Sequence, residues 1–245
     1  MTSPPLTIAI DGPSGSGKSS VSRAVARALG LAYLDTGAMY RALAWWCLHQ
    51  DVDLADQERV ARLCSELPLA IGTDPDTAQV SVDGHDVTAA IRTTEVSGRV
   101  SAVATNLEVR ADMRRRQRAI IDRARHTGDG IVVEGRDITT VVAPDAEHRI
   151  LLTASEDARL ARRAREIHAS DDAEALEATR DQVLRRDRDD ATVSAFFAPA
   201  PGVVGIDTSH LTFEQSVAAV LDAVAGAPAA SPREPAPTTP DGGHR

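Results

Sequence analysis

Short apolar, often β-branched runs alternate with longer stretches of helical spacing along most of this chain. Leu6-Thr7-Ile8-Ala9-Ile10 is such a run, and it ends at Asp11-Gly12-Pro13, which predicts a buried strand with a turn behind it. Over 19–29, Val21, Val25, Ala28 and Leu29 fall on one side of a helix that Gly30 is placed to stop. Ala32-Tyr33-Leu34 predicts a second strand, Asp35-Thr36 a cap for a helix to about residue 49, and 57–67 a further helix. The texture then changes: 69–72 and 79–82 read as strands, with Asp83-Gly84 as a hairpin turn before 85–87. Beyond this small β segment lie an arginine-rich helix over 109–126 and strands at 131–133, 150–152 and 203–206. Helices are predicted between and after them at 156–168, 173–188 and 213–225. Strands alternating with helices imply a mainly parallel sheet covered on both faces, interrupted by an inserted subdomain. From residue 226 the chain is mostly Ala, Pro, Gly, Ser and Thr without period, a tail expected to be disordered.

Composition narrows the function classes. With 245 residues, 42% apolar and 26% charged, the chain has room for one large domain and an insertion. No apolar run approaches the ~20 residues of a membrane helix, and residues 1–5 carry no basic charge, so a membrane partner and a secretory signal are not expected. A net charge of −9 and 3% aromatic residues argue against a nucleic-acid surface. Two cysteines, Cys47 and Cys64, are too few for a disulfide framework, and a cytoplasmic protein is expected. Of the 27 lysine and arginine residues, the only lysine is Lys18. A chain that uses arginine everywhere else has kept a compact ammonium at one position, where a point charge serves better than a planar fork.

Lys18 stands in Gly12-Pro13-Ser14-Gly15-Ser16-Gly17-Lys18-Ser19, which fits G-x-x-x-x-G-K-[ST] after a predicted strand and at the start of a predicted helix. The glycines let backbone N–H groups turn in around phosphates, and the helix N-terminus adds partial positive charge. Lys18 can reach the β- and γ-phosphates and the Ser19 hydroxyl can ligate Mg²⁺; Ser20 follows in the first turn. This loop predicts a bound nucleotide without choosing ATP over GTP. Arg41, Arg92, Arg110, Arg136 and Arg186 lie near predicted element ends, as donors to a second phosphorylated substrate would. Singly, each reads more readily as a surface residue, and Arg114-Arg115-Arg116-Gln117-Arg118 reads as a mostly solvated helix face.

Asp35-Thr36-Gly37-Ala38-Met39-Tyr40-Arg41 resembles the acceptor-site motif of bacterial cytidylate kinases. Asp86-Val87-Thr88, Ile91-Arg92-Thr93, Val100-Ser101, Val109-Arg110, Glu134-Gly135-Arg136-Asp137-Ile138, Arg186-Asp187 with Asp190, and Ile206-Asp207-Thr208 continue the likeness in order, over roughly 6–220. The resemblance implies an α/β fold of the P-loop nucleoside monophosphate kinase type, with a parallel five-stranded sheet flanked by helices, a small α+β insert and a helical lid. Its core would be 1–65 and 103–225, with the lid near 155–195, the acceptor-binding insert at 66–102 and the tail at 226–245. It further implies ATP with Mg²⁺ as donor, CMP or dCMP as acceptor, and a monomer. Position by position, Arg41, Arg136 and Arg186 would hold the acceptor phosphate. Thr36, Ser101, Arg110 and Asp137 would line the base pocket beside Asp35 and Tyr40, Asp190 would bond the ribose, and Arg162 would lie against adenine.

Cytosine's N4 donor suits a carboxylate, and Arg110 and Ser101 could serve its N3 and O2 acceptors. The chain departs from the family pattern at Thr139, at Val193 where the lid's last arginine is usual, at Ala195-Phe196 and at Gly202; Arg188 is expected to substitute for that arginine. Two rivals stand beside this reading: a kinase for another or modified nucleotide, and a nucleotide-binding regulator with little turnover.

Overall fold

The fold is described from a computed structural model covering residues 5–168 and 170–226, with the side chains of 173, 181, 182 and 186 outside the description. The predicted tail therefore falls outside the described residues, apart from Gly226.

Five parallel strands form the central sheet in the order β2-β6-β1-β7-β8: β1 (Thr7–Asp11), β2 (Ala32–Asp35), β6 (Ile131–Gly135), β7 (His148–Thr153) and β8 (Val204–Asp207). All five residues of β1 and all five of β6 are buried, which explains why both read as continuous apolar runs rather than alternating ones. Full burial of Ile8 or Ile10 contributes about 1.5–3 kcal/mol each. Helices α1 (Lys18–Leu29), α2 (Thr36–His49), α3 (Gln57–Glu66), α4 (Thr94–Ala104), α5 (Leu107–Thr127), α6 (Glu156–His168), α7 (Ala173–Ala191) and α8 (Phe213–Gly226) complete the chain. A second, antiparallel sheet of β3 (Leu69–Ile71), β4 (Val80–Val82) and β5 (His85–Asp86) forms the predicted β segment. Its hairpin turns at Asp83 and Gly84, both with positive φ (50° and 76°), the conformation an Asp-Gly pair favours in a tight turn. Among the described residues no helix is long and apolar enough to cross a membrane.

One helix, α4, was not expected from periodicity. Gly98 and the β-branched Val96, Val100 and Val103 lower its intrinsic propensity. Thr93 caps it by accepting the Val96 N–H, and the three valines are buried in the core shared with α2, so packing overrides propensity.

Parallel pairing brings the carboxyl ends of three strands together. Asp11 on β1 pairs in register with Gly135 on β6, and Asp35 on β2 with Glu134. The segments leaving these strand ends therefore converge on one crevice, where open parallel sheets hold ligands.

Candidate active site

The segment after β1 is the glycine-rich loop. Gly15 (φ 77°) and Gly17 (φ 85°) adopt left-handed backbone, and a Cβ on Gly15 would lie 2.6 Å from the Arg159 carbonyl oxygen. Gly17 caps α1 without a side chain, which leaves the first-turn N–H groups of the helix for an anion. Lys18 Nζ donates to the Pro13 carbonyl at 3.4 Å. Arg162 and Thr208 both donate to the Ser16 carbonyl, so β8 and α6 brace the loop from outside.

At the base of the crevice Ser19 Oγ donates to Glu134 Oε1 at 2.6 Å, and Tyr33 donates to the same oxygen at 3.3 Å. Burial and the neighbouring Asp35 raise the Glu134 carboxyl, while Lys18, Ser19 and Arg41 oppose them. Burial would raise Asp35 too, but Arg41 at 2.8 Å, Arg92 at 3.3 Å and the Ala38 N–H outweigh it and hold this carboxyl below the usual range. Asp35 thus caps α2 and orients two guanidiniums. Arg41 Nε is buried without a partner among the described residues. The hydroxyl of Thr36 donates to the Glu134 carbonyl at 2.7 Å, in space that Gly135 leaves open; a Cβ there would come within 2.5 Å of that hydroxyl.

A third cluster gathers around Asp137, which follows β6. Arg110 Nη2 donates to Asp137 Oδ2 at 2.6 Å and to Ser194 Oγ at 2.9 Å, while its Nη1 donates to the Ala104 carbonyl at 3.1 Å. Burial raises the Asp137 carboxyl against the pull of Arg110 and Arg114. A single π-helical turn, Ile138–Val142, comes next. It is tied down by Asp11, which accepts the N–H groups of Ile138 and Thr139 and the Thr139 hydroxyl at 2.8–2.9 and 2.6 Å.

The long helix α7 closes the crevice. Asp187 accepts from the Ser14 N–H at 3.1 Å, from Arg136 Nη1 at 2.7 Å and from Arg159 Nη1. Asp190 pairs with Arg136 Nε at 2.8 Å. Arg136 and Arg159 hold the Asp187 carboxyl low despite its burial. Arg159 itself is buried and also donates to the Ser14 carbonyl at 3.0 Å.

These clusters line one cavity of about 880 Å³, enough for two nucleotides end to end. Nine lysine or arginine side chains border it against five carboxylates, a local excess of positive charge in a chain of net charge −9. Of the expected site residues, those from Ser14 to Ser20 line it, as do Asp35, Thr36, Tyr40, Arg41, Arg110, Arg136, Asp137, Arg162 and Asp190. Gly12 and Pro13 are buried behind the loop. Ser101 is not brought to the cavity wall: Val100 and Ala104 of α4 line it, and Ser194 supplies the hydroxyl beside Arg110. Arg188 is exposed on α7 and is not among the lining residues; Arg159 is the cation buried beside the loop. Arg186 lies on α7 with its side chain outside the described residues.

The expectation of a mostly solvated arginine face on α5 is corrected for Arg116 and Arg118. Arg116 donates to the carbonyls of Leu67, Cys64 and Ser65, Arg118 to those of Val141 and Val142, and Arg115 pairs with Asp112. Arg116 and Arg118 thereby fasten α5 to its neighbours, while Arg115 pairs within α5 and stays exposed. Glu134, Arg159 and Ser194 are site residues that sequence reasoning assigned no role. Only Glu134 carried a signal, as an acid ending a buried strand.

A family model described as cytidylate kinase matches residues 8–226. A cytidylate kinase of Streptomyces avermitilis is 46% identical over 91% of this chain and 94% of its own length. One from Cutibacterium acnes is 48% identical over 91% and 98%. An uncharacterized protein from Eubacterium ventriosum, known by crystal structure, shares the fold with a TM-score of 0.50 at 12% identity, over 91% of this chain and 99% of its own.

Proposed function

The chain belongs to the cytidylate kinase family and phosphorylates CMP with ATP as donor; from that premise we propose how its own residues carry out the transfer. The observation that carries the reading is a glycine-rich loop and a second, arginine-lined subsite sharing one cavity. The ATP phosphates lie in the loop against its N–H groups and Lys18. The acceptor phosphate is gripped by Arg41 and Arg136, whose buried Nε and Nη2 groups, respectively, have no partner among the described residues. Arg186 joins them, as the family likeness implies. Two anionic phosphates repel, and this density of guanidiniums offsets that repulsion.

The cytosine N4 amino group donates to Asp137, Arg110 donates to the ring acceptors, and Asp190 accepts from the sugar; dCMP, with the same base and phosphate, is an acceptor too. Arg162, fixed by Thr208 and the Ser16 carbonyl, borders the adenine side. A phosphate oxygen of the acceptor attacks the γ-phosphorus in line as the bond to the ADP oxygen breaks, with no covalent enzyme intermediate and no proton to remove. Asp187, by joining α7 to the loop through Ser14, keeps water away from the reacting atoms.

The donor set fits Mg²⁺: the Ser19 hydroxyl and the Glu134 carboxylate are hard oxygens held side by side beneath the phosphate loop. When bound, that ion would neutralise charge on the donor phosphates. The enzyme works as a monomer in the cytoplasm. A coupled assay of ADP formation with CMP, dCMP, UMP and AMP tests the acceptor assignment: CMP and dCMP should be turned over far better than the others. Equal turnover of AMP would overturn the base pocket.

A further inference from the structure

Arg136 is held in an unusual way. Its Nε is bonded to Asp190 and its Nη1 to Asp187, two contacts that fix the guanidinium within its own plane. Bonds along two edges still allow the plane to tilt. One face, however, is covered by the Phe196 ring, with the guanidinium carbon 4.4 Å from the ring centroid. Phe196 is fully buried at 0% exposure. The third nitrogen, Nη2, is buried with no hydrogen-bond partner among the described residues, and Arg136 borders the cavity. A buried donor without an acceptor is costly, so such an arrangement persists where a ligand completes it.

We propose that Phe196 is a positioning residue for phosphoryl transfer: its ring face sets the tilt of the Arg136 guanidinium so that Nη2 is presented to the acceptor phosphate. The inference rests on the reading of Arg136 as a ligand of that phosphate. It assigns a role to a position where this chain differs from the family pattern, three residues after Val193 stands in place of the lid's last arginine. With that cation missing, each remaining guanidinium at the site carries more of the charge of the reacting phosphates, and its pose matters more. An aliphatic side chain would fill the space but would lack the negative ring face that attracts a desolvated cation.

The test changes the ring's quadrupole at nearly constant shape. Phenylalanines with one, two, three and five fluorines are incorporated at position 196, with melting temperature as the check on fold. KM for CMP should climb stepwise across the series, by on the order of tenfold in total, while KM for ATP stays level. Phe196→Leu should raise KM for CMP and Phe196→Tyr should restore it. A flat KM across the series at unchanged melting temperature would overturn the proposal. Arg136→Ala is measured alongside, and in its background fluorination should be silent. If Arg136→Ala leaves KM for CMP unmoved, the phosphate-grip reading itself fails. If Arg136→Ala raises KM and fluorination does not, Phe196 alone loses its role.

Discussion

Replacing Asp137 by asparagine keeps its size, removes its charge, and tests base selection directly. The carboxylate is paired with Arg110 at 2.6 Å, and both side chains are largely shielded, at 15% and 11% exposure. A hydrogen bond to a charged group in such a setting contributes about 1.5–3 kcal/mol. Losing the one to cytosine N4 should therefore lower kcat/KM for CMP by about 10- to 150-fold. The pocket should survive the change, because Arg110 keeps its bonds to the Ala104 carbonyl and the Ser194 hydroxyl. Uracil carries an acceptor where cytosine carries its amino group, and an asparagine amide can donate to it. UMP should accordingly lose little or gain, and the preference for CMP should narrow by at least an order of magnitude. Steady-state kinetics on parent and Asp137→Asn with both acceptors, at saturating ATP, give the two ratios. Equal loss for CMP and UMP would refute the reasoning and make Asp137 a holder of phosphate or metal.

Other outcomes follow from the same geometry. Lys18→Met should cut kcat by about 10²–10³-fold or more with the fold intact by circular dichroism, and Lys18→Arg should not rescue it, since a fork does not fit a loop closed around an ammonium. Arg159→Ala leaves Asp187 short of a buried partner and should destabilise the protein by about 3–5 kcal/mol in urea titrations, whereas Arg188→Ala, at an exposed site, should change kcat by less than about threefold. The Asp11 carboxyl is pushed up by burial from 3.8 to about 6, so its contribution to stability is fully present below the lower value and lost as pH rises through the higher. The stability difference between parent and Asp11→Asn should then shrink by about 1 kcal/mol from about pH 5 to about pH 7; a constant difference would show that Asp11 titrates normally.

The sheet and the phosphate loop were legible because their signals are local. Four largely buried strands and the exposed edge strand β8 are five apolar runs, and the loop's glycines, lysine and serine are contiguous in the chain. Helix α4 was not legible, since its valines gain their stability from α2 rather than from one another. The arginines of α5 were read as solvated for a related reason. The carbonyls that Arg116 satisfies belong to residues 64–67, some fifty positions away, and nothing in the local run points there. Arg159 meets Asp187 and Ser14 across 28 and 145 positions and Ser194 meets Arg110 across 84, so neither could be assigned from spacing.

The departures from the family pattern show most clearly what a sequence leaves open. Each is a single substitution whose consequence depends on what the fold places opposite it. Thr139 spends its hydroxyl on Asp11, adding a third donor to a buried carboxyl already tied to two backbone N–H groups. Gly202 adopts φ 74°, a left-handed backbone that strains a residue with a Cβ, and the tip of Arg149 occupies the space a Cβ would take. Phe196 lies against Arg136. In all three cases the new side chain, or its absence, is matched by a neighbour on another element. Val193 has no such match, because no apolar group can supply the charge of the arginine it replaces. Adding charge back at position 193 should therefore act on the chemical step more than on CMP affinity, since a cation arriving with lid closure stabilises charge that develops only in the transition state. Val193→Arg should raise kcat severalfold at nearly constant Kd for CMP; a tighter Kd at unchanged kcat would instead mark position 193 as part of the ground-state grip.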